Sequence, residues 1–279
     1  MEKRILTQEK ITAFHAYLHR EEKSGATQEK YLRDIRAFRV FLEDREVSKE
    51  QVLAYKAELQ SRGYAVRSIN SMLASLNSLF AFLGWQDCRV RSLRVQQQIY
   101  CPEEKELTKG EYLRLLKAAK ANTRLYLVMQ TICSTGIRVS ELRHFTVEAV
   151  RRGEVAVRCK GKTRRILLPG KLRGMLLSYA DRERISDGVI FRSASGVPLS
   201  RGIIWEQMKR LCRKAGVEAA KVFPHNLRKL FARTFYSLEK DIAKLADILG
   251  HSSINTTRIY IMSTGTEHRK KMERLGLLV

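Results

Sequence analysis

Seven apolar positions, Ile69, Met72, Leu73, Leu76, Leu79, Phe80 and Leu83, recur at three- and four-residue intervals in a stretch free of Gly and Pro. Only an α-helix gathers such positions on one side, and a helix with one apolar face needs other elements to cover it. The cover is at hand upstream. Tyr31, Leu32, Ile35, Phe38, Phe41 and Leu42 form a second stripe, which Thr27 opens as its N-cap. Ser48 and Gln51 make a capping-box pattern for a further helix, which Gly63 closes. The front of the chain therefore predicts four helices, their stripes forming a core rather than a cofactor box.

After Trp85 the periodicity fades, and RVQQQIYCPEEKE (residues 94–106) is polar and holds one of the chain's four prolines. This break predicts two domains, residues 1–93 and 107–279, joined by a linker over 94–106. Thr108 and Glu111 form another capping box, opening a helix with Tyr112, Leu113, Leu115 and Leu116 inward. EVAVRCKGKTRRILL (residues 154–168) alternates apolar and polar positions about a Gly, which reads as a β-hairpin. Its cations, Arg158, Lys160, Lys162, Arg164 and Arg165, are expected on a solvated face or against a polyanion. GVIF (188–191) reads as a third short strand, and the chain from Ile203 onward as helical. The expected fold class is thus mainly α with a small β-sheet (α+β).

Charge narrows the partners. Lys and Arg number 53 against 29 Asp and Glu, a net +24 with a pI near 10.1, far beyond what solubility requires and pointing to nucleic acid. The excess is uneven: residues 1–100 hold 17 basic against 12 acidic residues, and the remainder 36 against 17. A membrane surface is the competing polyanion, but no run of about 18 apolar residues exists and the cations are spread through the chain. The N-terminal MEKRILTQEK has no apolar core after its charges, so a cytoplasmic protein is expected. Five cysteines, odd in number, scattered and without a C-x-x-C pair, suggest neither a disulfide framework nor a zinc site.

Several chemistries are missing. CKGKT resembles the end of a phosphate-binding loop, but position 156, where that motif needs Gly, is Ala. H-E-x-x-H and clustered carboxylates are absent too, so neither a nucleotide cofactor nor a metal is expected. What remains is cationic and hydroxylic. TGIRVSEL (135–142) sets Arg138 at an expected helix start, where backbone N–H groups also favour an anion. PHNLRKLFA (224–232) puts His225 and Arg228 on one face of a helix opened by Pro224. LGHSSINTTRIY (249–260) places His251 just past a helix end at Gly250, and Tyr260 nine residues on.

Phosphoryl transfer unites these types. A phosphodiester transition state spreads negative charge over its non-bridging oxygens, and two arginine forks can clamp them without a metal. A tyrosine hydroxyl, with a free pKa of about 10, needs a nearby base or cation to become a nucleophile. His225 and His251 answer that need, and a hairpin lysine can protonate the leaving oxygen. Taken singly, each of these residues has an ordinary structural or DNA-backbone role; the ordered conjunction is what carries the reading.

Over its whole length the chain resembles the tyrosine recombinases, the family of phage integrases and Xer-type recombinases. STGIRVSEL resembles the family's first arginine motif, PHNLR its H-x-x-R motif, LGHSSINTTRIY its His-to-Tyr motif, and the hairpin its catalytic-lysine turn. The resemblance implies a site-specific recombinase that cleaves and rejoins double-stranded DNA through a 3′-phosphotyrosine and a Holliday junction, as a homo-tetramer on two sites, with or without a partner recombinase. It implies Tyr260 as nucleophile, Arg138 and Arg228 on the scissile phosphate, His251 hydrogen-bonded to it, and His225 as general acid/base. Lys160 takes the lysine's place, with Lys162 as the alternative, and Glu141 supports Arg138. The first domain is similar to the family's helical, SAM-like core-binding domain and the second to its catalytic domain, as in the simple two-domain members. Met272, Leu275, Leu277 and Leu278, on a basic tail helix, dock on a neighbouring subunit or fold back on their own. Two rivals stay open at this point: DNA relaxation of the type IB topoisomerase kind, and a DNA-binding regulator without catalysis.

Overall fold

The computed structural model describes residues 3–94, 100, 102–159, 162–275 and 277. The chain divides into two compact units, Met1–Gln97 and Gln98–Val279. Of the expected linker, residues 95–99 and 101 lie outside the described residues.

The first unit is four helices, α1 (Gln8–Arg20), α2 (Gly25–Leu42), α3 (Lys49–Ser61) and α4 (Val66–Phe82). The stripe of α4 is its core: Ile69, Leu73, Leu76, Leu79 and Phe80 are all fully buried, against Ile35 and Phe38 of α2 and Phe14 of α1 in one cluster. The α2 start differs from expectation. Ser24, not Thr27, is the cap, its hydroxyl accepting the Thr27 N–H, so Thr27 lies in the first turn; a serine three residues earlier satisfies the free N–H groups first. Ser48 caps α3 by accepting the Gln51 N–H, and Gly63 follows the helix end at φ +73°.

The second unit adds α5 (Lys109–Ala119), α6 (Thr123–Thr135), α7 (Val147–Arg152), strands β1 (Glu154–Cys159) and β2 (Lys162–Leu167), then α8 (Gly170–Arg182) and α9 (Arg201–Ala215). Four further helices close the chain: α10 (Pro224–Glu239), α11 (Ile242–Leu249), α12 (Ile254–Ile261) and α13 (Gly265–Glu273). At α5 both halves of the capping box form, Glu111 accepting the Thr108 N–H at 2.8 Å and Thr108 the Glu111 N–H at 3.2 Å. Leu115 and Leu116 are buried as expected, whereas Leu113 points to solvent, because it lies two positions off the Leu115 face.

β1 and β2 pair antiparallel, with Val157 opposite Arg164 and Val155 opposite Ile166. The expected third strand is not part of this sheet. Val189 makes a single bridge to Thr146, while Ile190 donates to the Phe145 carbonyl and Val147 to that of Gly188. With Ile190 and Phe191 buried in the main core of this unit, the segment is held to the start of α7 and not to the hairpin edge. Among the described residues no helix is long and apolar enough to cross a membrane.

At the end of α6 the chain turns at Gly136, with φ +65°, and α10 packs against α6. A Cβ on Gly136 would stand 2.5 Å from Phe231 Cε1 and 3.0 Å from Leu249 Cδ2. Gly136→Ala is therefore expected to lower stability by about 1–3 kcal/mol, from the left-handed backbone and the overpacking together, as read by urea denaturation.

Candidate active site

Four separate segments converge in the second unit. Arg138 precedes a 3₁₀ turn, Val139–His144, to which Gly136 delivers it. His225 and Arg228 sit in the first turns of α10, where Pro224 occupies the start that needs no N–H donor. His251 follows the left-handed Gly250 that ends α11, and Tyr260 lies in the last turn of α12.

Arg228 is the hub. Its residue is only 1% exposed, and its guanidinium donates to the Gly136 carbonyl at 2.6 Å, the Leu249 carbonyl at 2.7 Å and His251 Nε2 at 2.9 Å. Burial, then the nearby Arg138, pushes its pKa down to about 10, which leaves it a cation at neutral pH. Its Cζ lies 5.8 Å from the centre of the Tyr260 ring, and that residue is 8% exposed. The rings of His225 and His251 stand 5.1 Å and 4.9 Å from that of Tyr260, on the same tyrosine. Arg138 donates to the Gly250 carbonyl at 3.2 Å and to Glu141 Oε1 at 3.2 Å, while Glu141 Oε2 accepts the Arg138 backbone N–H at 2.7 Å.

The hydrogen bonds fix the form of His251. An arginine N–H can only donate, so Nε2 must accept, and Nδ1 carries the proton that goes to Thr257 Oγ1 at 2.9 Å. His251 is thus neutral, in keeping with a pKa pushed down to about 4 by burial and then by Arg228, Arg138 and Arg164. His225 is pushed down to about 4 as well, by desolvation and then by Lys229 and Arg228, although the residue as a whole is exposed. A neutral histidine can accept a proton; both are therefore bases at pH 7.

Both histidines hold a proton more weakly folded than unfolded, where the ordinary value is 6.5. Between about 6.5 and about 4 the unfolded chain binds the extra protons, so stability is lost as the pH falls through that window. The urea midpoint is expected to drop between pH 7 and pH 5, and His251→Gln to flatten that drop; an equal drop in the variant would contradict it.

A cleft of about 450 Å³ opens on this group, lined among others by Arg138, Ser140, Arg201, Trp205, His225 and Arg228. A larger apolar groove of about 750 Å³ lies under α13, where Met272, Leu275 and Leu277 are exposed; Leu278 is outside the described residues. The cleft is the chemically equipped one: three arginines and a histidine suit an anion of phosphate size. Among the described residues no group of three or more His, Cys, Asp or Glu could hold a metal ion.

The hairpin departs from expectation. Arg165 is exposed on it, but the Arg164 side chain is turned inward, 14% exposed, and binds Glu141 Oε2 at 2.5 Å. Its phase gives the reason: two residues before the buried Ile166, Arg164 shares the core face of β2. Lys160 lies outside the described residues, and Lys162 is described only as the first residue of β2, paired with Cys159. Thr257, which fixes the His251 ring, carried no motif signal beyond its place three residues before Tyr260.

The model of the phage integrase family matches residues 105–267, and that of the phage integrase N-terminal SAM-like domain residues 11–87. The chain is 31% identical to the tyrosine recombinase XerA of Pyrococcus furiosus, over 100% of this chain and 98% of that one. It is 28% identical to the tyrosine recombinase XerD of Vibrio cholerae over 78% of this chain and 77% of that protein. Among solved structures, the crystal structure of XerA recombinase aligns with a TM-score of 0.55 at 25% identity, covering 98% of this chain and 100% of that one. A lambda integrase (75–356) dimer bound to a COC′ core site has the same fold, with a TM-score of 0.76 at 20% identity over 94% of this chain and 96% of that one. With its arginine, histidine and tyrosine motifs brought together in the second unit and both family domains matched, the chain belongs to the phage integrase family and is a tyrosine recombinase, an enzyme that breaks and rejoins DNA.

Proposed function

We propose that Tyr260 attacks a scissile phosphodiester in duplex DNA, forming a 3′-phosphotyrosine as the phosphorus–O5′ bond breaks. Arg138 and Arg228 hold the non-bridging oxygens, and His251 hydrogen-bonds the same group in the tautomer that carries its proton on Nε2. His225 and His251, both neutral, are the bases within reach of the tyrosine, and His225 acts as general acid/base. Lys160, with Lys162 as the alternative, protonates the departing 5′ oxygen, and Glu141 steadies Arg138. Attack by the 5′ hydroxyl of a partner strand reverses the step, so the broken linkage is conserved without nucleotide, cofactor or metal.

On this reading residues 1–93 are the core-binding domain, 94–106 the linker and 107–279 the catalytic domain. Four copies act on two sites in double-stranded DNA through a Holliday junction, in the cytoplasm. Two similar structures support the assembly: one is a lambda integrase dimer bound to a COC′ core site, another a lambda integrase tetramer bound to a Holliday junction. Relaxation of the topoisomerase kind gains no support beside relatives named recombinases that align with nearly the full chain.

The observation that carries the reading is one tyrosine ring bordered by two neutral histidines and a buried arginine. Its test is to incubate the protein with supercoiled plasmid bearing the DNA that flanks its gene, and to isolate SDS-resistant adducts. After nuclease trimming, mass spectrometry is expected to find a nucleotide on the Tyr260 peptide. A nucleotide on any other residue would overturn the assignment.

A further inference from the structure

Arg164 is a largely buried cation that the mechanism above does not use. It stands at the meeting of three elements. From β2 its guanidinium reaches Glu141 Oε2, in the turn that carries Arg138, and donates to the Ile248 carbonyl at the end of α11, two residues before Gly250. Glu141 is 4% exposed and already binds Arg138 through both oxygens. Gly250 is what admits the side chain: a Cβ there would stand 2.7 Å from Arg164 Cδ and 2.9 Å from its Nε. The Nε itself is buried and unpartnered, so the arginine is held for its two forward N–H groups and not for full satisfaction.

A buried ion pair is a poor device for stability alone, since desolvation of both charges offsets their attraction. It is a good device for direction. Arg164 joins the Arg138 turn to the loop that presents His251, and both ends are fixed to β2. We propose that Arg164 is a positioning residue for strand cleavage: by tying Glu141 and the end of α11 to β2, it sets Arg138 and His251 in register on the scissile phosphate. This rests on the reading above, in which those two residues bind that phosphate.

The test uses single-turnover adduct formation by the full chain on a nicked suicide duplex carrying the mapped cleavage site. The same duplex is then used with a methylphosphonate at the scissile position. Misplacement by about an ångström costs roughly 10²-fold in rate. Arg164→Met is expected to lose on the order of 100-fold on the phosphodiester and Arg164→Lys about 10-fold, with DNA affinity within about threefold of wild type. Replacing a charged non-bridging oxygen by methyl lessens the demand on Arg138, so both deficits shrink at least about tenfold on methylphosphonate. Because Arg164→Met takes one of its two arginine partners from the buried Glu141, Arg164→Met/Glu141→Gln, which removes both charges, is assayed beside it and the same recovery is expected. Equal deficits on both substrates would mark a purely structural role and overturn the proposal, as would wild-type rates in the variants. If wild type itself forms no adduct on either duplex, the cleavage reading falls, and the proposal with it.

Discussion

Tyr260→Phe is expected to abolish the covalent protein–DNA adduct while leaving DNA affinity and the melting temperature close to wild type. The substitution removes one oxygen and leaves a ring of nearly the same volume in contact with His225, His251 and Arg228. The histidines and arginines of the site do not substitute for the lost nucleophile: the histidines are neutral bases, and the arginines have no nucleophilic form at neutral pH. Loss should therefore be complete on gels that resolve SDS-resistant complexes, whereas a gel-shift assay of the same variant stays positive. A residual adduct above background would mean that another hydroxyl carries the reaction.

Arg228→Lys should be almost as severe for chemistry, and costly to the fold as well. The arginine fork reaches two carbonyls and His251 Nε2 in one plane, which an ammonium on a flexible stem cannot reproduce. Loss of a preorganised donor to a developing phosphorane slows such reactions by roughly 10²–10³-fold, and adduct formation should fall by at least that factor. Each buried carbonyl left without a donor costs about 1–3 kcal/mol, so the urea midpoint should fall too. The two effects separate by substrate: a methylphosphonate should recover part of the rate but none of the stability. A rate within threefold of wild type would remove Arg228 from the phosphate.

Much of this was legible in the chain. The stripe from Ile69 to Leu83, the Thr108 capping box and the hairpin about residue 161 depend on neighbours within a few residues, and local spacing sets them. The motif residues were legible for the same reason: Pro224 opens the helix that carries His225 and Arg228, and Gly250 ends the one before His251. GVIF misled because a four-residue apolar run names burial, not its partner. Tertiary contacts gave it a single bridge to Thr146 instead of an edge on the sheet.

Arg164 shows the division best. Its place two residues before Ile166 was in the sequence, but a cation there was expected on a solvated face or against a polyanion. That a cation is tolerable there depends on Glu141, which is 23 residues away, and on the Ile248 carbonyl, which is 84 residues away. The same holds for the tautomer of His251, set by Arg228 on one side and Thr257 on the other. Sequence by itself determined the helices, the hairpin and the basic character, because covalent spacing and local capping act over a turn or two. Only the tertiary structure decided which arginine is buried and that both site histidines are neutral. Desolvation and charge pairing depend on what folding brings within a few ångströms, not on order along the chain.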